Sequence, residues 1–251
     1  VPVRPNLSLG DSVAGIHAVL GILLALMAKK NAGANFGEEQ GAGQVVDVAL
    51  YESMFNLMEG IVPEYDGGGA IREPAGSTLT GIVPTNTYLC ADGKHVVIGG
   101  NGDSIYVRLM KAIGRGDLAE DPALEKNPGR VIQQQNIDNA IAAWTSVNTS
   151  ATVITCLEQV DVPVGPIFSI EDAFNDPHYQ AREMFEEVQI KGQDGMADSM
   201  LKIPAILPKL SITPGATTWP GGEVGSHTQD ILQEIGYSAE AQAALKDQGH
   251  I

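Results

Sequence analysis

The sequence predicts an α/β fold in one large domain or two small ones, and three observations predict it. An apolar helix at 13–29 is followed by a glycine-rich loop, a short apolar run at 44–50 and a second helix at 51–58, the helix–loop–strand–helix order of an α/β layer. A second module opens with a hairpin signal, Ala91-Asp92-Gly93-Lys94 between two β-rich runs, and continues in helical patterns. The chain has 251 residues, 43% hydrophobic and 18% charged, a globular composition long enough to bury a real core.

Taken in order, Gly10-Asp11-Ser12 precedes the first helix and puts Asp11 or Ser12 in N-cap position. Lys29 and Lys30 close that helix, where cations favour the C-terminal dipole. The longest apolar stretch, 13–28, is interrupted only by Gly15, His17 and Gly21. It falls short of the ~18 residues a bilayer span needs and reads as a helix buried on most sides. Residues 31–43 read as a loop and Gln44-Val45-Val46-Asp47-Val48-Ala49-Leu50 as a buried strand. The stretch 63–84, with Gly67-Gly68-Gly69 and Pro74-Ala75-Gly76, reads as a long connection, a linker or a functional loop. Strands at 87–90 and 95–98 flank the Asp-Gly turn. Helices are expected at 104–113, 132–144 and 151–158. Val162-Pro163-Val164-Gly165-Pro166-Ile167 is an edge strand or loop because of its two prolines. Helical turns at 171–174 and 180–185, extended pieces from Glu187 past Pro204, Pro208 and Pro214, and helices at 228–235 and 239–246 complete the chain.

The net charge is −16 and the pI near 4.5, a surface that repels phosphate backbones and anionic lipids, so neither nucleic acid nor a membrane is expected as a partner. Cys90 and Cys156 are too few for a disulfide scaffold and are expected to be reduced thiols of a cytoplasmic protein, or one of the mitochondrial matrix if the source is eukaryotic. The chain opens Val1-Pro2-Val3-Arg4-Pro5, with neither Met nor a signal pattern, and is expected to be part of something longer.

Few residues announce chemistry. The histidines (17, 95, 178, 227 and 250) are scattered and no metal site is expected. Gly99-Gly100-Asn101-Gly102-Asp103-Ser104 is either a tight strand-to-helix turn or an anion cradle. Asp11 has two readings: a plain N-cap, or a carboxylate placed where the helix dipole favours negative charge and free to attack an acyl carbon. His17, almost two turns on, reads as a packed core histidine.

Leu9-Gly10-Asp11-Ser12-Val13-Ala14-Gly15 resembles the catalytic-aspartate segment of the class III CoA-transferases, the formyl-CoA transferase and L-carnitine CoA-transferase family. Gly41-Ala42-Gly43-Gln44 resembles the family's Gly-x-Gly-Gln strand entry, with Ala42 in place of the usual Arg. Asp92-Gly93-Lys94-His95 resembles its small-domain hairpin, and Val162-Pro163-Val164-Gly165-Pro166-Ile167 its Val-Pro-x-Gly-Pro-Val motif. Asp176-Pro177-His178-Tyr179-Gln180-Ala181-Arg182-Glu183-Met184 and Gly225-Ser226-His227-Thr228-Gln229-Asp230-Ile231-Leu232 are similar to two further segments. Six motifs in the family's order cover nearly the whole chain. Family members carry a long N-terminal segment ahead of this point, so the chain is expected to correspond to the C-terminal part.

The resemblance implies a Rossmann-like large domain, incomplete here, with a small α+β domain in an interlocked homodimer. It maps 1–62 and 186–251 to the large domain, 63–84 to a linker and active-site loop, and 85–185 to the small domain. It implies that Asp11 attacks an acyl-CoA thioester and passes through anhydride and aspartyl-CoA intermediates, with no tightly bound cofactor. The family's active-site glycine loop has its counterpart in 76–84, which assigns Gly76 and Gly81 to substrate binding. Acyl-CoA and a carboxylic acid are the expected substrates, with succinyl-CoA and a dicarboxylate as the nearest likeness. The alternatives are an α-methylacyl-CoA racemase-like enzyme, with the carboxylate as acid/base, and a non-catalytic fragment.

Overall fold

The computed structural model describes residues 5–31, 43–192 and 198–251. The chain divides into two compact units, Val1–Ile167 and Phe168–Ile251. The boundary falls inside the segment 85–185 that the resemblance maps to one small domain.

The first unit opens with α1 (Leu9–Asn31), a 23-residue helix. It begins ahead of the expected start, because the Ser12 N–H already donates to the Ser8 carbonyl at 3.0 Å. Burial differs sharply from expectation. Of the described side chains in α1 only Ala14 is fully buried, while Leu20, Leu23 and Leu24 are 51%, 53% and 58% exposed. Counted as a helix and not as an apolar run, Leu9–Lys30 is also long and apolar enough to cross a membrane. A helix apolar all round is covered by protein or by lipid in its working state, and length and composition do not separate the two.

The expected loop at 31–43 lies largely outside the described residues. The expected strand at 44–50 does not form: residues 44–49 join no strand, Leu50 already begins a helix, and Val45 is 92% exposed. A strand is stable only when a neighbour takes up its backbone N–H and C=O groups, and among the described residues none does. The segment instead crosses α1: a side chain on Gly21 would meet Val46 Cγ1 at 2.7 Å. It leads into α2 (Leu50–Phe55), a 3₁₀ turn (Asn56–Met58) and α3 (Ile61–Gly68). The last is a correction, since Gly67 and Gly68 lie in a helix that Pro63 allows in its first turn and that Gly69 ends at φ 67°.

The core belongs to the rest of this unit. Strands β1 (Thr85–Leu89) and β2 (His95–Gly99) form the expected antiparallel hairpin, with Gly93 at φ 75° in the turn. They are followed by α4 (Asp103–Ala112), α5 (Gly116–Ala119), a 3₁₀ turn (Pro122–Leu124), α6 (Asn127–Ile132), α7 (Gln134–Thr145) and α8 (Ser150–Glu158). Strand β3 (Val164–Pro166) pairs antiparallel with β2 and makes the sheet order β1-β2-β3. It lies at the edge, where prolines cost no ladder bond. Every second residue of β2, Val96 and Ile98, is buried, as are Leu109 and Met110 of α4, Ile137 and Ile141 of α7, and Val153 and Leu157 of α8. Each such side chain contributes about 1.5–3 kcal/mol by leaving water. Tyr88 OH donates to Asp138 Oδ1 at 2.6 Å and ties β1 to α7. Burial, reinforced by that carboxylate, raises the Tyr88 phenol well above its ordinary range. Asp92 accepts from Ser150 N–H and Oγ at 3.0 and 2.7 Å, so the hairpin turn holds the start of α8.

The second unit carries α9 (Ile170–Asn175), α10 (Pro177–Ala181), the hairpin β4 (Phe185–Ile190) and β5 (Ser199–Pro204), α11 (Thr228–Glu234) and α12 (Ala239–Asp247). Asp176 caps α10 by accepting from His178 and Tyr179 N–H at 2.8 and 3.0 Å, which starts that helix earlier than expected. Phe174 and Phe185 pack with ring centroids 4.4 Å apart.

Candidate active site

Asp11 is the third residue of α1, not its cap. The Ser8 carbonyl accepts from both Ser12 N–H and Ser12 Oγ at 3.0 Å, so the first turn closes without the Asp11 carboxylate. Among the described residues that carboxylate has no hydrogen-bonding or ionic partner. The N-cap reading of Asp11 is therefore replaced by an exposed carboxylate in the first turn of a long helix, where the dipole favours negative charge. Gly10 beside it faces α2: a Cβ there would sit 3.7 Å from Met54 Cγ. Pro5, Asn6, Leu7 and Ser8 line a hollow of ≈ 370 Å³ just ahead of the helix, and Asp11 does not line it. His17 is half-buried.

Gly76 and Gly81 lie in an ordered loop. Both have positive φ, 67° and 79°, which a residue with a Cβ adopts only with strain. Both are exposed, and a Cβ at either would have no neighbour within 4 Å, so backbone conformation and not crowding requires glycine there. Leu79 and Ile82 form a bridge across the loop tip. Among the described residues no hydrogen bond joins Asp11 to either glycine.

The loop is fastened to the core by residues that no sequence pattern singles out. Asn127, at the start of α6, donates from Nδ2 to the Gly81 carbonyl at 2.7 Å and accepts from the Val83 N–H at Oδ1 at 3.1 Å. Arg130, one turn on and fully buried, donates from Nε to the Val83 carbonyl at 3.1 Å. Its other nitrogens reach the carbonyls of Leu124, Glu125 and Asn101 at 3.2, 3.0 and 2.8 Å and Asp103 Oδ1 at 2.9 Å. The Tyr106 ring lies 4.9 Å below the guanidinium. Lys126 and Arg130 together hold the Asp103 carboxyl below its ordinary value. Ser77 Oγ bonds Asn86 Oδ1 at 2.6 Å and holds the other end of the loop. The only local signal for this anchor is an Arg next to Val131-Ile132, a charge beside an apolar pair.

The turn 99–104 is structural. The N–H groups of Gly99 and Gly100 donate to the Pro163 and Pro84 carbonyls, both at 2.9 Å, and Asp103 places an acid where an anion would sit. Gly100 is a close approach, since a Cβ would meet Leu109 Cδ2 at 2.5 Å. Cys90 is buried and Cys156 half-buried, both free thiols, and burial pushes the Cys90 thiol up.

Residues 1–228 match the model of CoA-transferase family III. The chain is 36% identical over 234 residues to the succinyl-CoA–D-citramalate CoA-transferase of Chloroflexus aurantiacus, covering 93% of this chain and 55% of that protein. It is 30% identical over 241 residues to the succinyl-CoA:mesaconate CoA-transferase of Haloarcula hispanica, covering 94% of this chain and 55% of that protein. In fold it is similar to a CaiB/BaiF family protein from Brucella suis, with TM-score 0.71 and 22% identity over 93% of this chain and 57% of that one. The chain thus spans about half the length of the relatives it matches. The family model, over residues 1–228, spans the Asp11 helix, the anchored loop and the three-stranded sheet, and with these relatives it shows that the chain belongs to CoA-transferase family III.

Proposed function

We propose that the complete protein transfers CoA from an acyl-CoA thioester to a carboxylic acid, with succinyl-CoA as donor and a dicarboxylate as acceptor, and that Asp11 is its nucleophile. The observation that carries this reading is the match to succinyl-CoA:dicarboxylate CoA-transferases; the unpartnered Asp11 carboxylate in the first turn of α1 supports the choice of nucleophile. Asp11 attacks the thioester carbonyl and releases the CoA thiolate, leaving an aspartyl–acyl anhydride. The thiolate attacks the aspartyl carbonyl, the donor acid departs as a carboxylate, and an aspartyl-CoA thioester remains. The acceptor carboxylate then runs the same two steps in reverse. Covalent catalysis divides the exchange into steps that each break one activated acyl bond. The Gly76 and Gly81 segment supplies backbone groups to the acyl oxygen, the task that an oxyanion site performs. CoA is a substrate, and the chemistry needs no further cofactor.

Three parts of this reading rest on the same likeness. The apolar face of α1 and the unpaired segment 44–50 pack against protein, not lipid, in the complete molecule. The four-part division at 62, 84 and 185 describes its domains, and the working unit is a homodimer in the cytoplasm. The test is mass spectrometry of the complete protein after incubation with succinyl-CoA and citramalate. A covalent CoA adduct on the peptide carrying Asp11, together with citramalyl-CoA, is the expected result. Citramalyl-CoA formed without an adduct overturns the covalent route through Asp11, and the absence of both signals sinks the transferase reading.

A further inference from the structure

We propose that Asn127 is a positioning residue for CoA transfer: its side-chain amide clamps the backbone of the 76–84 loop and sets where the Gly81 peptide meets the reacting acyl group. The proposal rests on the transferase reading above and names how that site is held.

The geometry is a two-point clamp. Nδ2 donates to the Gly81 carbonyl and Oδ1 accepts from the Val83 N–H, at 2.7 and 3.1 Å. These two backbone groups bracket Ile82, so one planar amide fixes the orientation of both peptides. Asn127 is itself held. It opens α6, and α6 is pressed onto the Pro122–Leu124 turn so closely that a Cβ on Gly129 would lie 1.7 Å from the Ala123 carbonyl oxygen. Arg130 anchors the same helix to the Val83 carbonyl at 3.1 Å. Thr85, two residues past the clamp, takes no part: its Oγ1 is buried without a hydrogen-bond partner. Near the loop tip, then, side chains of α6 fasten the backbone around Gly81, which is itself exposed and held at φ 79°. A backbone group that stabilises a developing charge must be in place before the reaction, and a displacement of about 1 Å can cost on the order of 10²-fold in rate.

The experiment uses the complete protein with Asn127→Ala and Asn127→Asp. Asp keeps the shape and the acceptor toward Val83 but sets a carboxylate oxygen against the Gly81 carbonyl, so it reads the clamp even if the Ala variant folds poorly. Succinyl-CoA and citramalate are the assay substrates, and amide hydrogen exchange at Val83 is followed in parallel. The expected result is a fall in kcat of about tenfold or more with KM for succinyl-CoA changed by less than about threefold. In Asn127→Ala, exchange at Val83 is also faster. Unchanged kcat in both variants overturns the positioning role, and so does unchanged exchange at Val83 in Asn127→Ala. A fall in kcat that only tracks loss of folded protein overturns it too. If the wild-type protein transfers no CoA, the transferase reading fails and the positioning role with it, and that outcome is told apart by the wild-type assay alone.

Discussion

Two regions of the first unit contrast: α1 is the more apolar in sequence and the less buried. The segment 83–164 supplies the whole hydrophobic core cluster, from Val83 and Tyr88 through Ile98, Leu109 and Ile141 to Val162. In α1 nearly every leucine is half or more exposed. The difference lies in partners. The hairpin, α4, α7 and α8 find each other within about 80 residues, so their apolar faces close on themselves. Among the described residues the face of α1 packs chiefly on the short 44–55 stretch, and a helix cannot bury an all-round apolar surface against one neighbour. One region stabilises itself, and the other keeps an apolar face that the described residues leave open. The proposed chemistry lies on the second kind of region and the loop that serves it on the first.

The largest effect should come from Asp11. In the complete protein, Asp11→Asn should lower the rate of CoA transfer by at least about 10³-fold, since the reaction route itself is removed. The melting temperature should stay within a few degrees, because the carboxylate caps nothing. A variant with most of the wild-type rate would falsify the assignment of the nucleophile to the exposed region.

Next in size is Arg130→Met, which tests the self-sufficient region. It leaves four main-chain carbonyls without their donor, and by analogy with other buried charge networks it should destabilise by about 3–5 kcal/mol in urea unfolding. A loss below about 1 kcal/mol, the worth of one ordinary hydrogen bond, would mean that this region does not depend on its buried cation.

Leu23→Ala sharpens the contrast directly. In the 251-residue chain its effect should stay within about 0.5 kcal/mol, as for surface substitutions. In the complete protein it should cost about 2–5 kcal/mol if the face is covered. Equal small effects at both lengths would show that α1 stays exposed and break the comparison.

The smallest effect is acid sensitivity in the core region. Arg115 holds the Asp117 carboxyl at about 2, hydrogen bonds from Ser150 lower Asp92, and Lys126 with Arg130 lower Asp103. A carboxylate depressed in the folded state adds stability above its unfolded pKa, near 4, and loses it as pH falls through the folded value. The melting temperature should decline between about pH 4 and pH 2. A flat profile down to pH 2 would remove these carboxylates from the account.

Much of the fold is legible from local chemistry. The Asp92-Gly93 turn, the proline-marked edge at 164–166 and the helices from α7 onward follow from patterns of a few residues, and the structure has them within a few positions. The family motifs also prove to be local devices: Asp176 caps α10, and Asp92 ties the hairpin turn to α8. The strand expected at 44–50 stays unpaired because apolar alternation declares a willingness to pair and says nothing about whether a partner is present. Asn127 escapes a sequence reading because an asparagine ahead of a proline looks like any helix start. Its meaning lies in a loop 44 residues earlier.

By itself the sequence determined the periodicities, the turns, the family and the candidate nucleophile, because each depends on residues adjacent in the chain or on a motif order that survives without coordinates. Only the tertiary structure decided that Asp11 is no cap, that Gly76 and Gly81 sit in left-handed backbone, and that Asn127 and Arg130 hold their loop. Burial and hydrogen-bond partnership are properties of pairs of segments, and which segments meet is set by packing across long separations that no local pattern encodes.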